Sequence, residues 1–258
     1  MISNSSNGMT RRERLRAETI ATIKDVARRQ LHERGVDGIS LRGIAREMRM
    51  SPAAIYRYFD GREALVRALY CDVFDDLNER TRRAMIAVGD DPYGRMRQWV
   101  RVYREWALGS KSEFELSLYV STEFGNPMLG MRDREFDSLD DLDPVTAKTV
   151  EHAWMCGQEY ARWWRRQREQ GVEITASGVN LDLSPDLRHE VVNMCGAYIV
   201  GTDVPAEFQY RFASAWGRIF GLIAMEVYQI LPVFSNVEEF YRIEMASIAA
   251  DLGITGSD

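Results

Sequence analysis

The residues best placed to do chemistry lie between Ser40 and Leu65. Arg42, Arg46 and Arg49 recur at helical spacing, which sets three guanidinium groups along one side of a short helix, while Leu41, Ile44, Ala45 and Met48 fill the other side. Ser40 can cap that helix through its hydroxyl. After a short break Ser51 can cap a second helix, with Pro52 at the first position, where a missing N–H costs nothing. In this reading Ile55 and Phe59 point inward, leaving Pro52, Ala53, Tyr56 and Arg57 facing out. Two short helices joined tightly and packed on a longer one form a helix-turn-helix, whose second helix fits the major groove of DNA. Small residues at its start allow close approach to base edges and thymine methyl groups.

Other chemistry finds less support. His152 and Cys156 stand one helical turn apart, as a metal pair can, but no third ligand is evident, and His189 and Cys195 are too far along the chain to place. No metal and no cofactor are expected. The sequence holds no GxSxG, Walker or GxGxxG pattern, and the carboxylates at 140–143 read as a solvated loop, so no catalytic residues are expected and the chain is not read as an enzyme.

The elements that must position the basic segment are helical. Prolines at 52, 92, 127, 144, 185, 205 and 232 punctuate the chain, and the stretches between them carry helical rather than alternating patterning. The pattern predicts an all-α fold with helices near 10–34, 41–48, 52–59, 61–88, 93–109, 112–124, 145–170, 185–200, 205–231 and 236–251. Loops are expected at 125–143, around Asn126-Pro127, and at 171–183, around Ser177-Gly178. No internal repeat or low-complexity tract is present.

Composition narrows the class. With 258 residues, 45% of them hydrophobic, the chain can bury a real core, and no uncharged apolar run approaches a membrane span, which excludes a membrane protein. The start of the chain is Ser/Asn-rich and then turns to arginines, without the apolar centre of a secretory signal. Cys71, Cys156 and Cys195 fit neither a disulfide framework nor a CxxC site, so a cytoplasmic protein is expected. The net charge of −6 hides an asymmetry, since residues 1–70 carry +6 and residues 71–258 carry −12. A basic head on an acidic body suits a polyanion, and nucleic acid is the commonest one.

The stretch from about Arg14 to Leu69 resembles the DNA-binding domain of the TetR family of transcriptional regulators. The resemblance is carried by Ala27, Leu31 and Gly35 at the end of the first helix, Ser40-Leu41-Arg42 with Ile44-Ala45 in the second, and Met50-Ser51, Ile55-Tyr56, Tyr58-Phe59, Arg62 and Leu65 beyond. It implies that Ser40, Arg42, Pro52, Ala53, Ala54, Tyr56, Arg57, Tyr58 and Arg62 lie at or near DNA, with Tyr56 and Tyr58 donating to phosphates and Arg62 adding charge at the start of the fourth helix. Three positions depart from the family pattern. Arg49 stands where glycine is usual, so either it tolerates a left-handed conformation or the turn is reshaped; Gly43 removes the acid of a capping box; and Arg62 replaces a common lysine, which permits a forked contact. The run Arg11, Arg12, Arg14 and Arg16 is either an arm that reaches phosphates or the minor groove, or a solvated helix start.

The resemblance divides the chain into a DNA-binding domain, 10–70, and a helical ligand-binding and dimerisation domain, 71–258. In the second, Met96, Trp99, Tyr103 and Trp106 form one helical stripe, and Phe114, Tyr119, Trp154, Met155, Tyr160 and Met194 supply further aromatic and soft side chains for an effector pocket. From Phe212 to Leu231 the sequence is apolar nearly all round, which requires burial on two sides. Phe212, Trp216, Ile219, Ile223, Val227 and Phe240 are the expected dimer residues, in a pattern similar to one TetR subgroup whose last two helices build a four-helix interface. The function expected is a ligand-responsive regulator, a repressor that binds a palindromic operator as a homodimer and is released by a small apolar or aromatic effector. The alternative is a helical small-molecule carrier or enzyme whose basic head binds something else.

Overall fold

The computed structural model describes residues 10–128, 139–176, 181–231 and 235–254, and among these residues it is helical with no strand. In chain order the helices are α1 (Arg11–Arg34), α2 (Leu41–Glu47), α3 (Pro52–Ile55), α4 (Gly61–Ala87), α5 (Pro92–Gly109), α6 (Lys111–Glu123), α7 (Pro144–Glu169), α8 (Pro185–Val191), α9 (Ala206–Val227) and α10 (Val237–Asp251). The prolines act as the sequence suggested. Pro52, Pro92, Pro144 and Pro185 each open a helix, and Ser51, Asp143 and Ser184 accept backbone N–H groups as N-caps.

Two expected helices differ in detail. The recognition segment is α-helical only through Ile55 and continues to Phe59 in tighter turns, with Tyr58 N–H donating to Ile55 O at 2.9 Å. The helix expected at 185–200 is α only to Val191 and widens into a π-helix over Val192–Val200. Gly157 accommodates it, because a Cβ there would lie 2.6 Å from Ile199. Of the two expected loops, the structure describes the flanks; 129–138 and the Ser177-Gly178 centre lie outside the described residues.

The chain forms two compact units. One runs through Val73 and takes in Ser112–Gly125; the other holds Phe74–Lys111 and the chain from Asn126 onward. Helix α6 therefore joins the first unit, whose core is built from Ile23 and Leu31 of α1, Ile44 of α2, Ile55 of α3, Leu65 and Leu69 of α4, and Phe114 and Leu116 of α6. In the second unit α5 packs on α7 and α9. Its core centres on Trp99, Tyr160, Phe212 and Ile223, with Tyr160 stacked on Phe212 at 5.5 Å.

Candidate functional site: a nucleic-acid interface and an apolar groove

In the first unit, α2 and α3 form the helix-turn-helix. Ser40 Oγ accepts from Gly43 N–H at 3.2 Å, and Ser51 Oγ accepts from Ala54 N–H at 3.2 Å, so each short helix is capped as its sequence prescribes. The missing acid of the first capping box is replaced from another helix. Gln30 of α1, buried, accepts the Ser40 N–H through Oε1 at 2.9 Å, and a Cβ at position 43 would already sit 3.3 Å from Gln30 Nε2. Glycine at 43 thus makes room for the side chain that does the capping. Between the helices Arg49 adopts φ 54°, the left-handed conformation, and the turn keeps its shape with a non-glycine residue.

Ile55 and Phe59 are buried under α3, and Pro52, Ala53, Tyr56 and Arg57 are exposed, Tyr56 at 52%. Arg42 and Ser40 are exposed beside them, and Ala54 is half-buried. Tyr58 and Arg62 are placed differently from the other expected contacts. Tyr58 is half-buried with the Arg16 guanidinium 5.1 Å over its ring. Arg62 turns into its own unit: Nη2 donates to Val36 O at 2.8 Å, Nε to Ile39 O at 3.3 Å and Nη1 to the Tyr119 hydroxyl at 2.8 Å. Its donors serve the backbone carbonyls that lead into α2 and the side chain of α6, which is a clamp on the domain rather than a charge held out to phosphate. Sequence spacing held no signal for this contact, because Tyr119 lies far along the chain.

The arginine run at the start is helical. Thr10 and Glu13 cap α1 reciprocally, the Thr10 N–H donating to Glu13 at 2.7 Å, which holds the Glu13 carboxyl below its usual range. Arg16 donates twice, at 3.2 Å each, to the carbonyl of Arg57. Arg11, Arg12, Arg16 and Arg57 then line one concavity with Leu15, Thr19 and Tyr58, with no acidic residue among the described residues of its wall. Such a surface, continuous with the exposed face of α3, attracts a polyanion.

The second unit holds an open groove of about 950 Å³ whose floor includes Met96, Trp99, Phe212, Trp216, Ile219, Met245 and Leu252. Of the aromatic residues expected in an effector pocket, Trp99 lines this groove. Tyr103 and Trp106 are buried core, with Tyr103 stacked on Trp99 at 5.6 Å. Tyr160 is buried and donates its hydroxyl to Leu252 O at 2.9 Å; Trp154 is exposed; Phe114 and Tyr119 belong to the first unit. Of the expected dimer residues, Phe212, Ile223 and Val227 are buried, Trp216 is half-buried and packs 5.0 Å from Trp99, and Ile219 and Phe240 are half-buried. The exposed side of α9 is lined instead by Ala213, Ser214 and Gly217.

His152 sits among Phe74, Trp99, Tyr103 and Trp216. Asn78 donates through Nδ2 to Lys148 O at 3.2 Å, which turns its Oδ1 toward His152 Nδ1 at 2.8 Å. Nδ1 therefore carries the proton and Nε2 is a bare acceptor, with burial pushing the pKa down to about 3. Burial likewise pushes the Cys156 and Cys195 thiols up to about 12, so neither is a thiolate at neutral pH. Among the described residues, no three His, Cys, Asp or Glu side chains gather to hold a metal ion, and no helix is long and apolar enough to cross a membrane.

Residues 23–69 match the family model for bacterial regulatory proteins of the tetR family. The HTH-type transcriptional regulators Rv1816 of Mycobacterium tuberculosis and Mb1846 of Mycobacterium bovis are each 32% identical over 121 residues. That stretch is 46% of this chain and 49% of theirs, so the chain spans about half the length of the curated relatives it matches. Among solved structures, SCO4313, assigned as a regulatory protein, has a TM-score of 0.61 at 24% identity, covering 93% of this chain and 98% of that one. A protein of unknown function from Rhodococcus sp. RHA1 has a TM-score of 0.53 at 18% identity, covering 95% and 97%. Both are likenesses of fold alone. With its two short capped helices, its outward recognition face and the match over residues 23–69, the N-terminal segment is a helix-turn-helix of the kind found in bacterial regulatory proteins of the tetR family.

Proposed function

We propose that the chain is a cytoplasmic, ligand-responsive repressor that binds a palindromic operator as a homodimer. The observation that carries this reading is the exposed row Pro52, Ala53, Tyr56 and Arg57 over buried Ile55 and Phe59, continuous with the acid-free arginine concavity. Pro52 and Ala53 approach base edges; Tyr56, Arg57, Arg42 and Ser40 fix the helix on phosphates. Two copies related by a twofold axis present two such helices to grooves about one turn apart, roughly 34 Å. The partner face is the small-residue side of α9, Ala213, Gly217 and Gly221, where a Cβ at either glycine would meet open space, together with exposed Ile243 and Ser247 of α10. An apolar effector in the groove of the second unit favours a conformer with lower operator affinity.

Selection of bound duplexes from a random pool, followed by light scattering of the free protein, tests this. The expected outcome is an inverted-repeat consensus and a dimer at micromolar concentration. A pool that yields no enriched sequence would instead favour a helical carrier with a basic head.

A further inference from the structure

The effector groove is lined entirely by the second unit, and its charge does not match its surroundings. Residues 71–258 carry a net −12, yet the mouth of the groove holds Arg97, Arg101, Arg104 and Arg242 against Glu105 and Glu238. Two of these arginines are satisfied. Arg101 donates to Glu105 at 2.7 Å, and Arg104 donates to Glu226 at 2.6 Å and to Glu238 at 2.7 Å while its guanidinium lies 4.1 Å from the centre of the Tyr241 ring. Arg97 and Arg242 are exposed and form no ion pair among the described residues, although Glu238, which Arg104 engages, stands one turn before Arg242; Arg97 lies over Tyr93, 5.8 Å from the ring centre. Two positive charges are thus left over where an apolar floor of Trp99, Trp216 and Met245 meets solvent. In the same wall Tyr241 is 5% exposed and its hydroxyl, without a hydrogen-bond partner, is kept neutral by burial, which raises its pKa. A pocket for plain hydrocarbon has no use for these groups.

We propose that the groove takes an apolar molecule ending in a carboxylate, its body on the aromatic floor and its head between Arg97 and Arg242. The proposal rests on the reading of this groove as the effector site. A guanidinium fork matches a carboxylate with two parallel hydrogen bonds, and it discriminates against a neutral head of the same size.

Calorimetric titration of the full chain with decanoate and with 1-decanol tests it, because the two share a chain and differ in head charge. The expected result is one decanoate per chain, bound about fivefold or more tighter than decanol, a ratio that falls to within about twofold in the double variant Arg97→Gln/Arg242→Gln. Ala246→Trp, which sets a large ring on an exposed wall residue of the groove, should abolish both. Equal affinity for the two probes, both lost in Ala246→Trp, would overturn the head-group assignment and leave the effector site standing. Absence of binding by either probe, or binding untouched by Ala246→Trp, would overturn both.

Discussion

The two units use the same residue types for opposite ends. In the helix-turn-helix unit, large polar and aromatic side chains, Tyr56 and Arg57, stand in solvent on a helix a few residues long, held by caps and by the buried pair Ile55 and Phe59. In the larger unit, Trp99, Tyr103, Trp106 and Tyr160 vanish into the core, and the side of α9 that faces out is made of alanine, serine and glycine. A short element has no room for a core of its own, so its exposed side chains are free to read a surface. A long apolar helix spends its bulky residues on packing and leaves its small ones for a close approach by another backbone.

The sharpest way to break this contrast is a pair of glutamates on α9. Ile223 is fully buried, so Ile223→Glu must bury a carboxylate or open the core, a cost above about 4 kcal/mol that should leave no cooperative melt by circular dichroism. At Gly217 a Cβ meets nothing within 4 Å, so Gly217→Glu should fold and even gain about 0.5 kcal/mol of helix propensity. By light scattering it should nevertheless run as a monomer and lose operator binding. A dimeric Gly217→Glu protein would place the partner face elsewhere.

A second test uses the only buried histidine among the described residues, His152. Burial holds its folded pKa near 3, against an ordinary 6.5. Between those values the unfolded chain binds a proton that the folded chain refuses, so its contribution is complete above about pH 6.5 and is lost as pH falls. The slope approaches about 1.4 kcal/mol per pH unit, and between about pH 6.5 and 5.5, before most carboxylates take up protons, it amounts to about 1 kcal/mol. Urea melts across that window should show this loss. In His152→Gln the slope should flatten even though overall stability is lower.

How much of this was legible follows from how local each decision is. The inward phase of Ile55 and Phe59, the serine caps and the proline starts are set by neighbours within a few residues, and they read directly from the sequence. Which side of α9 faces inward depends on volume elsewhere in the unit. Phe212, Trp216 and Ile223 are as apolar as an interface needs, and only the repeat of small residues at 213, 217 and 221 hints at which side of the helix is left less covered. In the α5 stripe Met96 and Trp99 line the groove, while Tyr103 and Trp106 pack in the core, a division set by partners such as Trp216 and His152 from distant helices. Gln30 capping Ser40, and Arg62 meeting Tyr119, are also long-range and left no spacing to read.

Arg62 and Arg57 sharpen the contrast inside the first unit. Arg62→Ala removes a charged donor from two backbone carbonyls and Tyr119, which should cost about 2 kcal/mol of stability and leave the slope of log affinity against log salt unchanged. Arg57→Ala, at an exposed position, should leave stability alone and make that slope shallower by roughly one unit. A shallower slope for Arg62→Ala, measured on a selected duplex, would return Arg62 to the phosphate contacts.

The smallest effect concerns Arg49, at φ 54° in the turn between α2 and α3. An L-residue in the left-handed region costs about 1–2 kcal/mol because its Cβ crowds the following carbonyl, and glycine escapes that cost while losing about 0.5–1 kcal/mol through the extra freedom of the unfolded chain. The balance predicts that Arg49→Gly stabilises the protein by up to about 1 kcal/mol, a rise of a few degrees in Tm. Arg49→Ala removes the same charge but keeps the Cβ, so it should not share the gain. Comparing the two separates backbone from charge, since any loss of DNA affinity common to both belongs to the guanidinium. Equal melting temperatures for the two variants would mean that the turn is unstrained and that Arg49 stands there for its side chain alone.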